Sequence, residues 1–353
     1  MVGSIRHSVV LAAFALACSC AHDRSPTDPM EFSFGPFTIQ PDQEISDQCV
    51  QITLHNTTDL YINKIDLETG VGFHHSNWLW VPEHEFPGPH GIDDSAADDG
   101  TFTCADRGFD QAIAAIYGGV LFAQSTQVAH EVQQFPEGKV VRIPPNSKLD
   151  AQIHLLNTGD SQLHLAPTIT LYPIAGSDVT TILHGIAFED QALGLPANAQ
   201  SQFSLDCDLN PADQATANNW PAPDFNIYYV LGHYHALGTG LTLNALLEDD
   251  TTSTQVFQTT AAIGDTLGGP IDPPFAMGSN THLQFACDYY NDTANVVGWG
   301  LGSAEMCVVL AFTDSAFNYG GGVTAPEDPG SATIVGDVQE FTDTCQVIAS
   351  PAN

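Results

Sequence analysis

The sequence predicts an all-β protein: two tandem antiparallel β-sandwich (jelly-roll-like) domains behind a signal peptide. Three observations carry that expectation. Short runs alternating apolar and polar residues recur along the chain, separated by Gly, Pro, Asn and Asp, as in half-buried strands joined by turns. Helical periodicity is confined to one short stretch, Phe109–Ile116. A chain of 353 residues, 43% of them hydrophobic, has the length and apolar content for two ordinary cores.

The chain opens on a targeting segment. Arg6 and His7 precede the apolar run Val9–Ala17, which is too short to span a bilayer as a stable helix. Small residues before Cys18 resemble a bacterial lipoprotein signal with lipid added at Cys18, and the rival reading is ordinary cleavage near Ala21. Residues 1–20 are therefore read as signal peptide and lipobox, and 21–44 as a tether and first strand. The expected localisation is export, with a lipid anchor in the bacterial envelope, or secretion if Cys18 is not lipidated.

The first expected sandwich spans 45–191. Val50–Leu54, Leu60–Leu67 and Thr168–Tyr172 alternate as strands do. Ala192–Ser201 lacks that alternation and carries Pro196, so 192–201 reads as a linker. The second sandwich, 202–353, begins with a strand that places Phe203, Leu205 and Cys207 on one face. Further strands are expected over 226–231, 240–247, 254–260, 282–289 and 306–312.

Charge narrows the function. Seven Lys and Arg stand against 42 Asp and Glu, a formal net of -35. Such a field opposes binding to nucleic acid or to an anionic membrane surface, so membrane contact is expected only through the lipid anchor. Charged residues make up only 14% of the chain, which excludes a disordered acidic tail. Of eight cysteines, Cys49, Cys104, Cys207, Cys287, Cys307 and Cys345 remain once Cys18 and Cys20 are set aside. An even number in an exported chain implies disulfides, with the pairing left open by counting. The lack of a Cys-x-x-Cys argues against a zinc ribbon or a thioredoxin-like site.

The chemistry-bearing residues are histidines. Gly232-His233-Tyr234-His235 follows the apolar run Ile227–Leu231, so the two imidazoles point off one face of a strand. Alone this is a weak metal cue. His74-His75 would ordinarily be one packed and one solvated histidine, since neighbours on a strand face opposite ways unless a bulge intervenes. His154 is a lone strand histidine, ordinarily structural. Met306, in Glu305-Met306-Cys307, is by default a core residue, but a thioether beside two imidazoles would make a soft site suited to Cu(I).

In this order, across roughly residues 45–315, these signals resemble the type II copper, ascorbate-dependent monooxygenases, the family of peptidylglycine α-hydroxylating and dopamine β-monooxygenases. The resemblance implies one β-sandwich per half and two copper ions. His74, His75 and His154 would hold the electron-transfer copper, and His233, His235 and Met306 the oxygen-activating one. It pairs Cys49 with Cys104, Cys207 with Cys345 and Cys287 with Cys307. It implies hydroxylation of an unactivated C–H bond by molecular oxygen, with ascorbate as reductant, at a site open to solvent between the domains. The Arg that clamps a substrate carboxylate just before the His-x-His of the peptide-processing enzymes is Leu231 here, and their polar residues after the Met-Cys are Val308 and Leu310. A small, non-anionic substrate is the expectation. No protein acid or base is nominated. The competing reading is a non-catalytic copper-binding surface lipoprotein for storage or delivery, and a third is a structural β-sandwich whose histidines are incidental. His55, His130, His164, His184 and His282 are read as structural or solvated.

Overall fold

The computed structural model describes residues 27–83, 99–210, 222–248, 252–323 and 332–352. The signal segment with Cys18, and the loop histidines His84 and His90, lie outside the described residues. The fold is all-β, built from strands in stacked sheets with two short helices, Cys104–Arg107 and Gln111–Tyr117. The second helix overlaps the expected one and starts at the side chain of Asp110, which accepts from the Ile113 amide at 3.0 Å. No helix among the described residues is long and apolar enough to cross a membrane.

In the first half a five-stranded sheet runs in the order Gly100–Thr103, Glu44–Thr53, Ser147–Leu156, Phe73–Pro82, Gly119–Ala123. It packs on a second sheet containing Met30–Ser33, Thr168–Pro173, Leu60–Glu68 and Lys139–Ile143. Val50 and Ile52 from the first sheet meet Ile62, Ile65 and Leu67 from the second in one buried cluster. In the second half, one sheet runs Gly268–Ala276, Asn226–His233, Val308–Thr313, His184–Asp190, Phe317–Val323, Gln346–Pro351. The opposing sheet centres on Gly238–Leu247, Asn280–Asn291 and Ala199–Asp208.

The two halves meet through the first of these second-half sheets. Along Asn226–His233, Ile227 and Val230 enter the second core, while Tyr229 and Leu231 enter the first. Val309 and Ala311 likewise face one way, and Leu310 and Phe312 the other. A strand buried on both faces has no polar side, which is why Ile227–Leu231 reads as an unbroken apolar run. Burying each large side chain stabilises by roughly 1.5–3 kcal/mol, so the two cores are strongly coupled here.

Two sequence expectations change. Leu231 and Leu310 are buried members of the first core, so neither lies at a substrate-facing position. The sheets also do not divide at 192–201. His184–Asp190, expected in the first half, pairs with Val308–Thr313 and Phe317–Val323 of the second. Within the expected linker, Gly194–Leu195 pairs with Val297–Gly298, and Ala199 already begins a strand. The alternation of Ile186 and Phe188 fits a strand in either half, so only tertiary pairing assigns it.

All three disulfides implied by the resemblance are present: Cys49–Cys104, Cys207–Cys345 and Cys287–Cys307. They mark a chain that folds in an oxidising, exported setting.

Candidate metal centre

Five histidines converge from both halves. In the first, His154 of Ser147–Leu156 lies directly opposite His75 of Phe73–Pro82, and the next pair is Leu155 with Phe73. His74 is the extra residue of a β-bulge. That bulge is why adjacent histidines reach one pocket rather than opposite faces. In the second half, His233 ends the strand Asn226–His233 and His235 stands in the turn beyond it. Tyr234 between them points the other way, fully buried, its hydroxyl donating to the Ala261 carbonyl at 2.6 Å. The turn closes with the Gly238 amide on the His235 carbonyl, and a Cβ at Gly238 would collide with the Tyr234 ring.

The two sets form one cluster. Ring centroids are 4.5 Å apart for His74 and His154, 4.9 Å for His74 and His235, and 4.6 Å for His75 and His233. Ligand atoms lie within 4.8 Å of one another both in the triad His74, His75, His154 and in the triad His75, His233, His235. His75 therefore belongs to both. His74, His154, His233 and His235 are buried, which corrects the expectation of histidines open to solvent between domains. The halves are packed together beside them, since the first core takes in Tyr228, Tyr229, Leu231, Leu310 and Phe312 of the second half.

Hydrogen-bond partners fix how several imidazoles can act. The Ala304 carbonyl lies 2.8 Å from His235 Nδ1 and can only accept, so Nδ1 carries the proton and Nε2 keeps its lone pair. The Glu44 carboxylate, 2.7 Å from His154 Nε2, likewise places the proton there and leaves Nδ1 as donor atom. That Nδ1 is 3.3 Å from His75 Nε2. Four ring nitrogens, His74 Nε2, His75 Nδ1, His233 Nε2 and His235 Nε2, are buried without a partner. Orphaned buried polar atoms are costly, and four in one pocket call for a ligand.

Burial and mutual repulsion keep the cluster neutral. Burial first, then His154 and His235, hold His74 down to about 2. Burial also drives His75 and His233 well below the ordinary histidine range, with neighbouring imidazoles adding to it. For His154, burial lowers the pKa while Glu44 opposes, and for His235 burial lowers it while the Ala304 carbonyl opposes. Neutral imidazoles are the protonation state a metal needs, although the Gln127 amide nitrogen, 3.4 Å from His74 Nδ1, can only donate there and so leaves the His74 proton on Nε2 in the metal-free chain. The residues present thus fit a metal ion on chemistry and on burial.

Glu305 holds the second set in place. Its carboxylate accepts from the His235 amide at 2.9 Å and the Leu237 amide at 2.7 Å. Burial pushes it up to about 7 against those bonds and one from the Met306 amide. Met306 follows, half-buried, its carbonyl accepting from the Tyr289 hydroxyl at 2.7 Å. Cys287–Cys307 anchors the next residue to the opposing sheet.

The sequence identified all five histidines. It did not identify Glu44, Thr126, Gln127 or Glu305 as their supports, nor His75 as common to both sets. Glu305 carried a signal, its place beside Met306, whereas Glu44 and Thr126 carried none. The other histidines stand apart: His130 pairs with Asp66 at 2.8 Å, His282 with Asp206 at 3.0 Å, and His164 lies 3.1 Å from the Thr38 hydroxyl. His130 also groups with Asp66 and Glu68, but Lys64 neutralises Asp66 at 3.3 Å, as in ordinary surface pairing.

No family model matches the chain, and no curated protein does. Among solved structures, the chain is similar to the major capsid protein P2 of bacteriophage PM2, with 8% identity, 81% of this chain and 97% of that one covered, and a TM-score of 0.30. It is also similar to PNGase F, a glycosylasparaginase from Flavobacterium meningosepticum, with 7% identity, 85% and 99% coverage, and a TM-score of 0.31.

Proposed function

We propose that this chain is an exported copper protein of the ascorbate-dependent monooxygenase type, carrying two copper ions. The observation behind the reading is the buried five-histidine cluster with four buried ring nitrogens lacking partners. Imidazole suits several transition metals, and a thioether donor from Met306, which follows the Glu305 that holds the His235 and Leu237 amides, would tilt the choice toward copper. On the metal side the donors are neutral, which favours the lower charge of Cu(I). Bound copper would supply one-electron redox chemistry toward oxygen. The chain's share is to hold the imidazoles in fixed tautomers, to exclude water and to orient the second set through Glu305 and Ala304.

The acidic surface, net -35, supports a neutral or cationic small substrate over an anionic one. Anchoring through lipid on Cys18 belongs to the same reading. The burial of His74, His154, His233 and His235 favours the second reading, a copper storage or delivery protein, because it leaves little open surface beside the ions. One experiment separates the two. The mature protein is loaded with copper, the metal is counted, and oxygen uptake with ascorbate is followed over a panel of small apolar and cationic substrates. Turnover that depends on substrate supports the monooxygenase. Two bound ions without turnover support storage, and no bound copper sinks both readings.

A further inference from the structure

A single segment touches both histidine sets. Residues Gln124–Gln127 link two first-half strands and bond to both halves, and Gln124, Ser125 and Thr126 are buried. Toward the first set, the Gln127 amide donates to the His74 carbonyl at 2.6 Å and the Gln124 amide to the Ser76 carbonyl at 2.9 Å. The Gln127 side-chain amide nitrogen donates toward His74 Nδ1 at 3.4 Å. Toward the second set, the Gly264 amide donates to the Thr126 carbonyl at 3.0 Å and the Leu267 amide to Ser125 Oγ at 2.9 Å. The Thr126 hydroxyl donates to the Tyr234 carbonyl at 2.8 Å and lies 3.2 Å from His233 Nδ1.

We propose that Gln124–Gln127 is a strut that sets the spacing between the two histidine sets, and that Thr126 is the positioning residue for His233. The inference rests on the reading of these histidines as metal ligands. Its core is a proton count. A threonine hydroxyl has one hydrogen, and here it goes to the Tyr234 carbonyl. Toward His233 the oxygen can then only accept, so Nδ1 must carry the imidazole proton. Nε2, buried and without a partner, is left with its lone pair facing the cluster. The same hydroxyl thereby fixes the ring and ties it to the backbone of Tyr234.

The strut is itself held. The buried Glu131 carboxylate takes the Ser125 amide and the Ser125 hydroxyl, both at 2.6 Å. Ser125 uses its proton on Glu131, so its oxygen is free to accept from Leu267 of the second half. Each hydroxyl in the pair Ser125-Thr126 donates once and accepts once, which no apolar residue could replace. At Gln127 the backbone takes a left-handed conformation, φ 60°, which turns the segment back to His74.

The test reads the tautomer directly. In the copper-free full chain labelled with 15N-histidine, long-range nitrogen–proton NMR is expected to show the His233 proton on Nδ1. Thr126→Val should release that preference and weaken Cu(I) binding at His233 and His235 by about 10–100-fold in chelator competition, with Thr126→Ser restoring both. A wild-type His233 protonated on Nε2 would overturn the strut, whether or not Thr126→Val folds. So would a folded Thr126→Val with unchanged tautomer and affinity. His233→Ala separates the two levels. If the copper ion assigned to His233 and His235 is retained in it, the ligand reading fails. If that ion is lost there but not in Thr126→Val, only the strut fails.

Discussion

The two histidine sets are built differently. His74, His75 and His154 come from two neighbouring strands inside a sheet, brought together by a bulge, and form a complete triad. His233 and His235 come from one strand end and its turn, and need a third donor from elsewhere. Their supports differ as well. The first set has a carboxylate outside it, Glu44, whose side chain is 34% exposed. In the second, the atoms bonded to the rings are a carbonyl and a hydroxyl, both neutral. An outer carboxylate raises the basicity of its imidazole and favours the more highly charged metal state, whereas neutral partners do not. Within the proposed function, the difference makes the first set the better electron donor and the second the better Cu(I) site.

His75 is where the comparison breaks most sharply, because it belongs to both triads. His75→Ala should leave the first set with two imidazoles and deny the second its nearest extra donor. Copper retention is expected to fall for both ions, by more than about 100-fold at the first set, as measured by chelator competition. Loss of one ion alone would show that the sets are independent.

Acid sensitivity follows from the same crowding. The five imidazoles are held below 6.5 in the folded chain, while burial raises Glu131 and Glu305 from 4.5 to about 7 and Asp190 from 3.8 to about 6. Between roughly pH 4.5 and 6 the unfolded chain protonates the histidines, and the folded chain protonates those three carboxyls. The shifts of His184 and Glu189 act in opposite directions. The unfolded state thus binds the larger number of protons. Stability of the copper-free protein should therefore rise with pH through this window, by about 1.4 kcal/mol per pH unit for each unmatched proton. Denaturant titrations at several pH values check it, and a flat or falling profile would mean that the imidazoles are not buried as a group.

Much of this was legible in the chain, and what was not has a physical cause. The apolar run Ile227–Leu231 announced a strand, though not that both of its faces would be covered. Its neighbour in the sheet, Gly268–Ala276, is rich in Gly and Pro and reads as loop, yet it is an edge strand, where missing amide donors are tolerated. The histidines could be picked out because they cluster by type and spacing. Glu44 is 110 residues from His154, and Thr126 is 107 from His233, so only folding reveals those pairings. The position of Leu231 misleads for the opposite reason. In sequence it adjoins a ligand, but alternation turns its side chain into the core.

Met306→Ile sharpens the comparison on the second side. The substitution keeps an apolar side chain of similar size and removes the sulfur. Copper at His233 and His235 should weaken by about 10–100-fold while the first set is untouched, and X-ray absorption of the Cu(I) protein should lose its sulfur scattering. A wild-type spectrum without sulfur would instead make His75 the third donor, and the second site would be all-imidazole.

Glu44→Gln probes the first side and should have the smallest effect. The amide carbonyl can still accept from His154 Nε2, so the tautomer survives, but the negative charge is gone. His154 then becomes a poorer donor, and Cu(II) loses more than Cu(I). A Cu(II) affinity loss of about 10-fold, with Cu(I) affinity nearly unchanged, is expected by competition titration, and the reduction potential of that ion should rise. Glu44 also sits against Gly302, where an added Cβ would lie 2.8 Å from its carboxylate, so it faces the segment leading to Met306. If Glu44→Gln altered the His233 and His235 site as strongly as its own, the carboxylate would be acting across the junction, and the division into a charged and a neutral side would have to be abandoned.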